Sequence, residues 1–284
     1  MHPLANRRLK IGRIGYANLF PIFYALEKDS DCSNYEFIDG VPSTLNKLLR
    51  DGKIDISPSS SIEYLRHKDK YTILEGHSIS SIGPIGSIFL FSRRPIETLD
   101  GLTVLVSSQS ETSVSLLDII FKKFYRINCL LKVTEEPFLT SIESYPAYLL
   151  IGDDAMKAVT SYELRVTELN SSPITHHSSL YVYDLGDIWY KKTGLPFVFA
   201  LWIVRKDCCV DNPVLFEQFR KDLDAAKNQA LKNLKAIARE SPLRNILSED
   251  KIVSYWRGIS YDLTDEHMKG LELFRRYAED LGLS

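Results

Sequence analysis

The sequence has no excess of charge of either sign. Its 284 residues include 35 lysines and arginines and 37 aspartates and glutamates, which gives a formal net charge of −2. Proteins that bind nucleic acids usually carry a basic excess or a basic face, because contacts to phosphate supply much of their affinity. No clustered basic stretch is evident in this sequence. We therefore expect no nucleic-acid partner.

Cysteine is scarce, and neither cysteine nor histidine occurs at metal-ligand spacing. Cys208 and Cys209 are adjacent and only two further cysteines occur, which is too few for a disulfide framework in a chain of this length. The six histidines form no HExxH motif, and there is no CxxC motif. His176 and His177 are neighbours, so on a strand they would point to opposite faces. The sequence predicts a reduced, intracellular protein without a metal site.

Long apolar runs are also missing. The N-terminal segment is basic, with Arg7, Arg8 and Lys10, but the apolar stretch after it is interrupted by Arg13 and Asn18. It therefore lacks the apolar core of a secretory signal. No run approaches the ~20 apolar residues that a membrane-spanning helix needs. We expect a cytoplasmic protein that does not insert into a membrane.

Glycine-rich phosphate-binding loops are absent as well. The sequence contains neither a GxGxxG nor a Walker motif, and it lacks the GxSxG turn of α/β-hydrolases. These absences argue against the common nicotinamide and ATP sites and against one class of serine hydrolase. No cofactor is expected.

What the sequence does contain is an alternation of short apolar segments with amphipathic ones. Strands are predicted at 9–14, 35–39, 54–57, 102–106, 148–151 and 197–204, and helices at 21–27, 42–52, 114–124 and from 212 onward. This alternation is typical of an α/β protein with parallel sheets. The run at 197–204 is apolar throughout, which predicts a strand buried on both faces of a parallel sheet. A serine-rich turn is predicted at 58–61.

The length favours two domains. Chain crossings are predicted at about residues 92–96 and 195–205, so residues 1–93 and 197–284 would form a discontinuous first α/β lobe and residues 94–196 a second. The C-terminal helices are expected to cover the first lobe, with a partner subunit as the alternative.

Small polar side chains cluster where the predicted strands end. They are Asn18, Ser59, Ser60, Ser61, Ser87 and the polar residues of 107–113. In open α/β sheets the ligand crevice lies at the carboxyl ends of the strands, so we expect these groups to converge on one cleft. Where such a turn starts a helix, the free N–H groups and the helix dipole bind an anion without a lysine or arginine. The turn at 110–113 suits a carboxylate best, while the simpler interpretation of each turn is a helix cap.

Several of these segments resemble the futalosine-pathway family of menaquinone enzymes. The similarity runs over nearly the whole chain, and its most specific part extends from Tyr183-Asp184-Leu185-Gly186 through Thr193-Gly194-Leu195-Pro196 to Trp202. Other matching segments are 18–21, 40–46, 52–55, 59–64, 86–87, 110–113 and 151–155. Within the family, the chain is more similar to the chorismate dehydratases than to their paralogue, 1,4-dihydroxy-6-naphthoate synthase.

The resemblance implies a fold and an activity. The fold is that of type II periplasmic binding proteins, with two α/β lobes around a cleft. The activity is the dehydration of chorismate to 3-[(1-carboxyvinyl)oxy]benzoate, a carbon–oxygen lyase reaction, with Asn18 and Ser87 as the residues associated with it. The expected substrate-binding residues are Pro42, Ser59, Ser60, Gly86, Ser110, Thr112, Ser113, Gly152 and Asp153. The alternatives are the paralogous synthase and a carboxylate-binding protein without enzymatic activity.

The sequence offers no convincing protein base for this reaction. The acidic candidates are Glu63, Asp153, Asp154 and Asp184. Glu63 falls on a further helix, containing Tyr64 and Leu65, that is predicted directly after the turn at 58–61, and aspartates are common in turns after strands. We therefore expect substrate assistance, in which the enolpyruvyl carboxylate of chorismate removes the C3 proton. Ser87 would then orient a carboxylate, and Asn18 would hydrogen-bond the departing hydroxyl or the ring carboxylate.

Overall fold

Two five-stranded sheets form the framework of the molecule. The computed structural model describes residues 8–169 and 180–283. Its strands are β1 (Leu9–Ile14), β2 (Tyr35–Gly40), β3 (Ile56–Ser60), β4 (Tyr71–Ser81), β5 (Ile88–Ser92), β6 (Thr103–Ser107), β7 (Leu130–Thr134), β8 (Ala147–Ile151), β9 (Tyr181–Asp184) and β10 (Phe197–Arg205). The first sheet has the order β2-β1-β3-β10-β4, and the second has the order β7-β6-β8-β5-β9.

Helices connect the strands and form the C-terminal part of the chain. They are α1 (Phe20–Asp29), α2 (Pro42–Arg50), α3 (Ser61–Arg66), α4 (Glu111–Ile119), α5 (Phe138–Ser144), α6 (Gly152–Leu169), α7 (Leu185–Thr193), α8 (Lys206–Asp211), α9 (Pro213–Lys232), α10 (Leu234–Ala238), α11 (Glu249–Gly258) and α12 (Asp265–Asp280). Helix α4 continues as a wider π-helical segment over Ile120–Tyr125. In the described ranges, no helix has both the length and the apolar character needed to cross a membrane.

The apolar run at 197–204 forms a buried strand, but its direction differs from the prediction. β10 lies between β3 and β4 and is antiparallel to both, whereas β1 is parallel to β2 and β3. The chain returns from the second sheet in this strand, so β10 enters the first sheet from the opposite end. Its apolar composition reflects burial on both faces, which a central strand of either direction experiences.

The same strand explains why the predicted turn at 58–61 is wrong. Pro58, Ser59 and Ser60 lie inside β3, because β10 pairs with them through Trp202, Leu201 and Ala200. Helix α3 then begins directly at Ser61. Other local predictions hold more closely: the strands expected at 9–14, 35–39, 102–106 and 148–151 are confirmed to within one residue at each end.

The second sheet begins earlier in the chain than the expected boundary at residue 93. β5 is antiparallel to β8 and β9, so residues 88–92 belong to the second sheet. The first crossing between the sheets therefore lies between β4 and β5, at residues 82–87, instead of at 92–96. The return crossing runs from β9 along α7 to β10.

The C-terminal helices pack against the first sheet of their own chain. Helix α12 contacts β10 and α3, and it also reaches α4 of the second lobe. Its fully buried Phe274 lies 5.0 Å from Phe197 and 6.5 Å from Trp189, measured between ring centroids. Burial of such aromatic side chains contributes strongly to stability.

Close packing of α12 against the start of β10 gives a test of this arrangement. A Cβ placed on Gly270 would overlap the carbonyl oxygen of Pro196. We expect Gly270→Ala to lower stability by about 1–3 kcal/mol, seen as a fall of several degrees in Tm by calorimetry. Gly258→Ala is the matched control, because no atom lies within 4 Å of its added Cβ. An unchanged Tm for Gly270→Ala would contradict the packing.

Candidate active site

A cleft opens between the two sheets at the carboxyl ends of several strands. Its cavity volume is about 70 Å³, which is smaller than that of most small-molecule sites. The polar and backbone-exposing residues of its lining are Tyr16, Asn18, Pro42, Ser60, Ser87, Ser110, Ser113 and Gly152. The apolar walls are Ile14, Leu19, Ile79, Ile85, Ile88, Ile151, Phe199 and Ala200.

Most of the residues expected at the site line this cleft, but four do not. Ser59 is fully buried within β3, and Thr112 accepts a hydrogen bond from the backbone N–H of Ile62 at 3.1 Å. Gly86 and Asp153 lie beside the cleft and take part in hydrogen bonds that hold its loops. The lining otherwise contains the expected residues Asn18, Pro42, Ser60, Ser87, Ser110, Ser113 and Gly152.

The loop that carries Asn18 is held through its backbone. The N–H of Ala17 donates to Oδ1 of Asp153 at 3.2 Å, and the carbonyl of Ala17 accepts from Nε1 of Trp256 at 2.8 Å. The carbonyl of Asn18 accepts from the hydroxyl of Tyr261, also at 2.8 Å. Burial raises the pKa of the Asp153 carboxyl. Three side chains from distant parts of the sequence thus fix this short loop.

The loop that carries Ser87 is fixed by Asp184. The Asp184 carboxylate accepts the N–H groups of Ile85 at 3.1 Å and Gly86 at 2.7 Å, and it also caps α7 through the N–H of Asp187. Burial raises the pKa of Asp184, while these N–H groups oppose the shift. The carbonyl of Ser87 accepts from the N–H of Gly152 at 2.7 Å, which ties this loop to the start of α6.

Ser60 gains a defined hydrogen-bonding role from a residue that the sequence analysis missed. Asn46 is buried on α2, and its Nδ2 donates to Oγ of Ser60 at 3.0 Å. Because Oγ already accepts this bond, the Ser60 hydroxyl hydrogen is available for a ligand in the cleft. Asn46 is within the segment 40–46 that carried the resemblance, but its helical position gave no sign of contact with the site.

Tyr16 is a second residue that was missed. Its hydroxyl donates to Oε1 of Gln109 at 2.6 Å, so a bond joins the loop after β1 to the loop after β6 across the cleft. Burial raises the pKa of Tyr16, which keeps the phenol protonated as a donor. The Tyr16 ring also lies against Gly152, 3.6 Å from where a Cβ on that glycine would be. The sequence feature that could have indicated Tyr16 as a site residue is its position two residues before Asn18.

Three helices begin at the cleft. Pro42 is the first residue of α2, Ser110 is the N-cap of α4, and Gly152 is the first residue of α6. Ser110 Oγ accepts the N–H of Ser113 at 3.2 Å, and the two hydroxyls are 3.0 Å apart. Helix N-termini carry a partial positive charge and N–H groups without intrahelical partners. Their convergence makes the cleft suitable for an anion.

The described residues that line the cleft include no lysine, arginine, histidine, aspartate or glutamate. Of the acidic candidates, Glu63 is buried in an ion pair with Arg50 and accepts from the Tyr71 hydroxyl, and Asp154 pairs with Lys157 at the surface. In residues 8–169 and 180–283, no group of three His, Cys, Asp or Glu side chains is placed to hold a metal ion. His176 and His177 lie outside the described residues.

Comparison with known proteins identifies the family. The family model described as menaquinone biosynthesis matches residues 9–280. The chain belongs to the menaquinone biosynthesis family. The resemblance found in the sequence is thereby confirmed.

Two curated relatives of this family differ in activity. A chorismate dehydratase of Thermus thermophilus is 29% identical over 282 residues, which cover 96% of this chain and 95% of that protein. A 1,4-dihydroxy-6-naphtoate synthase of the same organism is 23% identical over 225 residues, covering 78% of this chain and 68% of that protein. The menaquinone family thus includes relatives with both activities.

Solved structures confirm the fold class. A protein of Archaeoglobus fulgidus superposes with a TM-score of 0.74 at 20% identity, covering 98% of each chain. The alkanesulfonate-binding protein of Xanthomonas axonopodis pv. citri superposes with a TM-score of 0.63 at 13% identity, covering 97% of this chain and 93% of that one. The menaquinone family member described here therefore has the two-lobed fold of periplasmic binding proteins.

The N-terminus of α4 offers a direct test of the anion site. We expect Ser110→Ala to lower stability by about 1 kcal/mol through loss of the cap and to weaken binding of a small dicarboxylate severalfold in calorimetric titration. Thr264→Ala is the matched control, because Thr264 caps α12 away from the cleft. It should lower Tm similarly and leave binding unchanged. Equal affinities for both variants would contradict an anion site at α4.

Proposed function

We propose that this protein is a chorismate dehydratase, which eliminates water from chorismate to give 3-[(1-carboxyvinyl)oxy]benzoate in menaquinone biosynthesis. We also propose that it acts in the cytoplasm, without a cofactor. The four cysteines are not joined by disulfides, which suits a reducing compartment. The relative with this activity matches nearly the whole chain.

One observation carries the proposal. The Oδ1 atom of Asn18 is buried and has no hydrogen-bond partner in the described part of the chain, although its residue lines the cleft. A buried amide oxygen without a partner costs about 1–3 kcal/mol, and a ligand hydroxyl removes that cost. The C4 hydroxyl of chorismate suits this amide, because it can donate to Oδ1 while its oxygen accepts from Nδ2.

The remainder of the cleft suits the two carboxylates of chorismate. Three helix N-termini and the hydroxyls of Ser60 and Ser87 supply hydrogen-bond donors without a formal positive charge. Charge-assisted hydrogen bonds contribute about 1.5–3 kcal/mol each. The apolar walls, including Ile79 and Phe199, limit the access of water and strengthen these interactions.

The chemistry requires loss of the C3 hydrogen and departure of the C4 hydroxyl, after which the ring is aromatic. Conjugation with the ring carboxylate acidifies the C3 hydrogen, so donors that hold charge on this carboxylate stabilise the transition state. Because no carboxylate lines the described cleft, we assign the base to the enolpyruvyl carboxylate of the substrate, which takes the C3 proton and passes it to the departing C4 hydroxyl, so that water leaves. Ser87 orients a carboxylate, and Asn18 holds the departing hydroxyl.

Replacement of Asn18 tests the assignment of the leaving-group contact. We expect Asn18→Ala to lower kcat/KM by about 10²–10³-fold, measured by chromatography of the benzoate product. Asn34→Ala is the matched control, because Asn34 is exposed on a turn of the first lobe. It should retain wild-type kinetics. Retention of more than about a tenth of the activity by Asn18→Ala would exclude this role.

Substrate assistance has its own test. Chorismate methylated on the enolpyruvyl carboxylate has lost the proposed base, so we expect no benzoate product from it. The ester is supplied at concentrations that inhibit turnover of chorismate, so that its binding is established in the same assay. Turnover of the bound ester would contradict substrate assistance and would point to an acidic residue beside the cleft as the base.

Two other functions give different outcomes in these assays. The likeness to solute-binding proteins favours a carboxylate binder as the second candidate, which would bind chorismate tightly and form no product. The similarity to the naphthoate synthase favours that synthase activity as a third candidate function. Such a synthase would leave chorismate unconverted and would consume a cyclic futalosine.

A further inference from the structure

Tyr16 separates the cleft from a larger cavity beside it. That second cavity has a volume of about 590 Å³ and shares two lining residues with the cleft, Ile14 and Tyr16. Its aromatic walls also include Phe20 and Tyr24. The cleft itself measures about 70 Å³, and most small-molecule sites are larger, so the cleft must widen before it holds a molecule such as chorismate. Because open space lies behind Tyr16, the cleft can widen at this side chain.

A hydrogen bond between the lobes holds the Tyr16 side chain across the cleft. Tyr16 follows β1 of the first lobe, whereas Gln109 follows β6 of the second. The Tyr16 hydroxyl donates to Oε1 of Gln109 at 2.6 Å, and the ring lies against Gly152, 3.6 Å from where a Cβ on that glycine would be. A ligand that widens the cleft at Tyr16 must therefore break the bond to Gln109.

A carboxylate of the ligand can replace this bond with a stronger one. Burial raises the pKa of the Tyr16 phenol, and the carboxylates of Asp154 and Asp153 raise it further, so the hydroxyl keeps its hydrogen at neutral pH. Tyr16 already lines the cleft. A hydrogen bond to an ionised carboxylate is roughly twice as strong as one to a neutral acceptor such as the Gln109 amide. Exchange of Gln109 for a ligand carboxylate is therefore favourable, whereas exchange for a neutral acceptor gains little.

We propose that Tyr16 is a substrate-binding residue that exchanges its hydrogen-bond partner. In the empty protein its hydroxyl donates to Gln109, and in the complex it donates to a carboxylate of the substrate. This assignment rests on the proposed function, because it takes chorismate as the substrate. The exchange favours anionic substrates, since a neutral acceptor does not compensate for the loss of Gln109.

The affinity for the proposed product, 3-[(1-carboxyvinyl)oxy]benzoate, tests the exchange, because this molecule retains both carboxylates and is not consumed. Gln109→Leu removes the competing acceptor, so we expect Kd in calorimetric titration to fall about threefold to tenfold. Gln229→Leu is the matched control, because Gln229 is exposed on α9 and does not line the cleft. It should retain the wild-type Kd. Unchanged or weaker binding by Gln109→Leu would overturn the proposal.

A double-mutant cycle shows whether Gln109 acts through Tyr16. Tyr16→Phe keeps the ring and removes the donor, so we expect Kd for the product to rise about tenfold. In that background Gln109→Leu should leave Kd unchanged, because the competing bond no longer exists. Tyr277→Phe is the matched control, since Tyr277 packs on Trp189 in α12, and it should retain the wild-type Kd. A gain in affinity from Gln109→Leu that persists in the Tyr16→Phe background would contradict the exchange.

A spectroscopic readout follows the exchange directly. In protein labelled with ¹³C at tyrosine Cζ, the Tyr16 signal is assigned by its loss in Tyr16→Phe. We expect Gln109→Leu to shift this signal in the empty protein. When both proteins are saturated with the product, we expect wild type and Gln109→Leu to show the same Tyr16 signal, because the phenol then has the same acceptor in each. Different signals in the two complexes would show that Gln109 still holds the phenol, and would overturn the proposal.

Turnover of chorismate by the wild-type protein, followed by chromatography, separates this proposal from the proposed function. Turnover without exchange of the Tyr16 partner overturns the exchange alone. Exchange on binding of the product, without turnover of chorismate, rejects the dehydratase activity and retains Tyr16 as a carboxylate-binding residue. A protein that neither binds the product nor converts chorismate contradicts both.

Discussion

The candidate site depends on how one peptide segment, Ala17–Asn18, is held. Its N–H is bound by Asp153 of the second lobe, and its two carbonyls are bound by Trp256 and Tyr261 of the C-terminal region. A buried backbone group without a partner costs about 1–3 kcal/mol, so each of these contacts constrains the loop. Because the backbone is satisfied by distant side chains, the Asn18 amide stays available to a ligand. The site therefore forms only when these distant parts of the chain have folded together.

The electrostatics of the cleft follow from the same arrangement. Asp153 and Asp184 lie beside the cleft without lining it, and their oxygens accept the backbone N–H groups of Ala17, Ile85 and Gly86. The attraction comes from helix N-termini and hydroxyls. In the proposed reaction, substrate and product are both dianions, so a lysine or arginine would bind the two alike, and such uniform binding does not raise kcat. Directional neutral donors can be placed to favour the transition state.

The sequence predicted the positions of individual strands well, but it predicted poorly which strands pair with one another. Hydrophobic pattern located β1, β2, β6 and β8, because each is a short apolar run with turn residues at its ends. The length of β3, the direction of β10 and the membership of β5 depend on ladder partners far away in the chain, which no local pattern records. The residues of the site show the same difference between local features, which were predicted, and long-range contacts, which were not. Ser60 and Ser113 were predicted from strand ends, whereas Asn46 reaches the site from a helix whose sequence shows only amphipathic character.

Movement of the lobes affects the parts of the cleft differently. Tyr16 and Gln109 bridge the loops after β1 and β6 across the cleft, so separation of the lobes must break their bond. Ser87 directly precedes β5 and Gly152 directly follows β8, two paired strands of the second sheet, and the N–H of Gly152 donates to the carbonyl of Ser87. Ser87 and the N-terminus of α6 therefore move together as part of the second lobe, and their distance from Asn18 of the first lobe changes together.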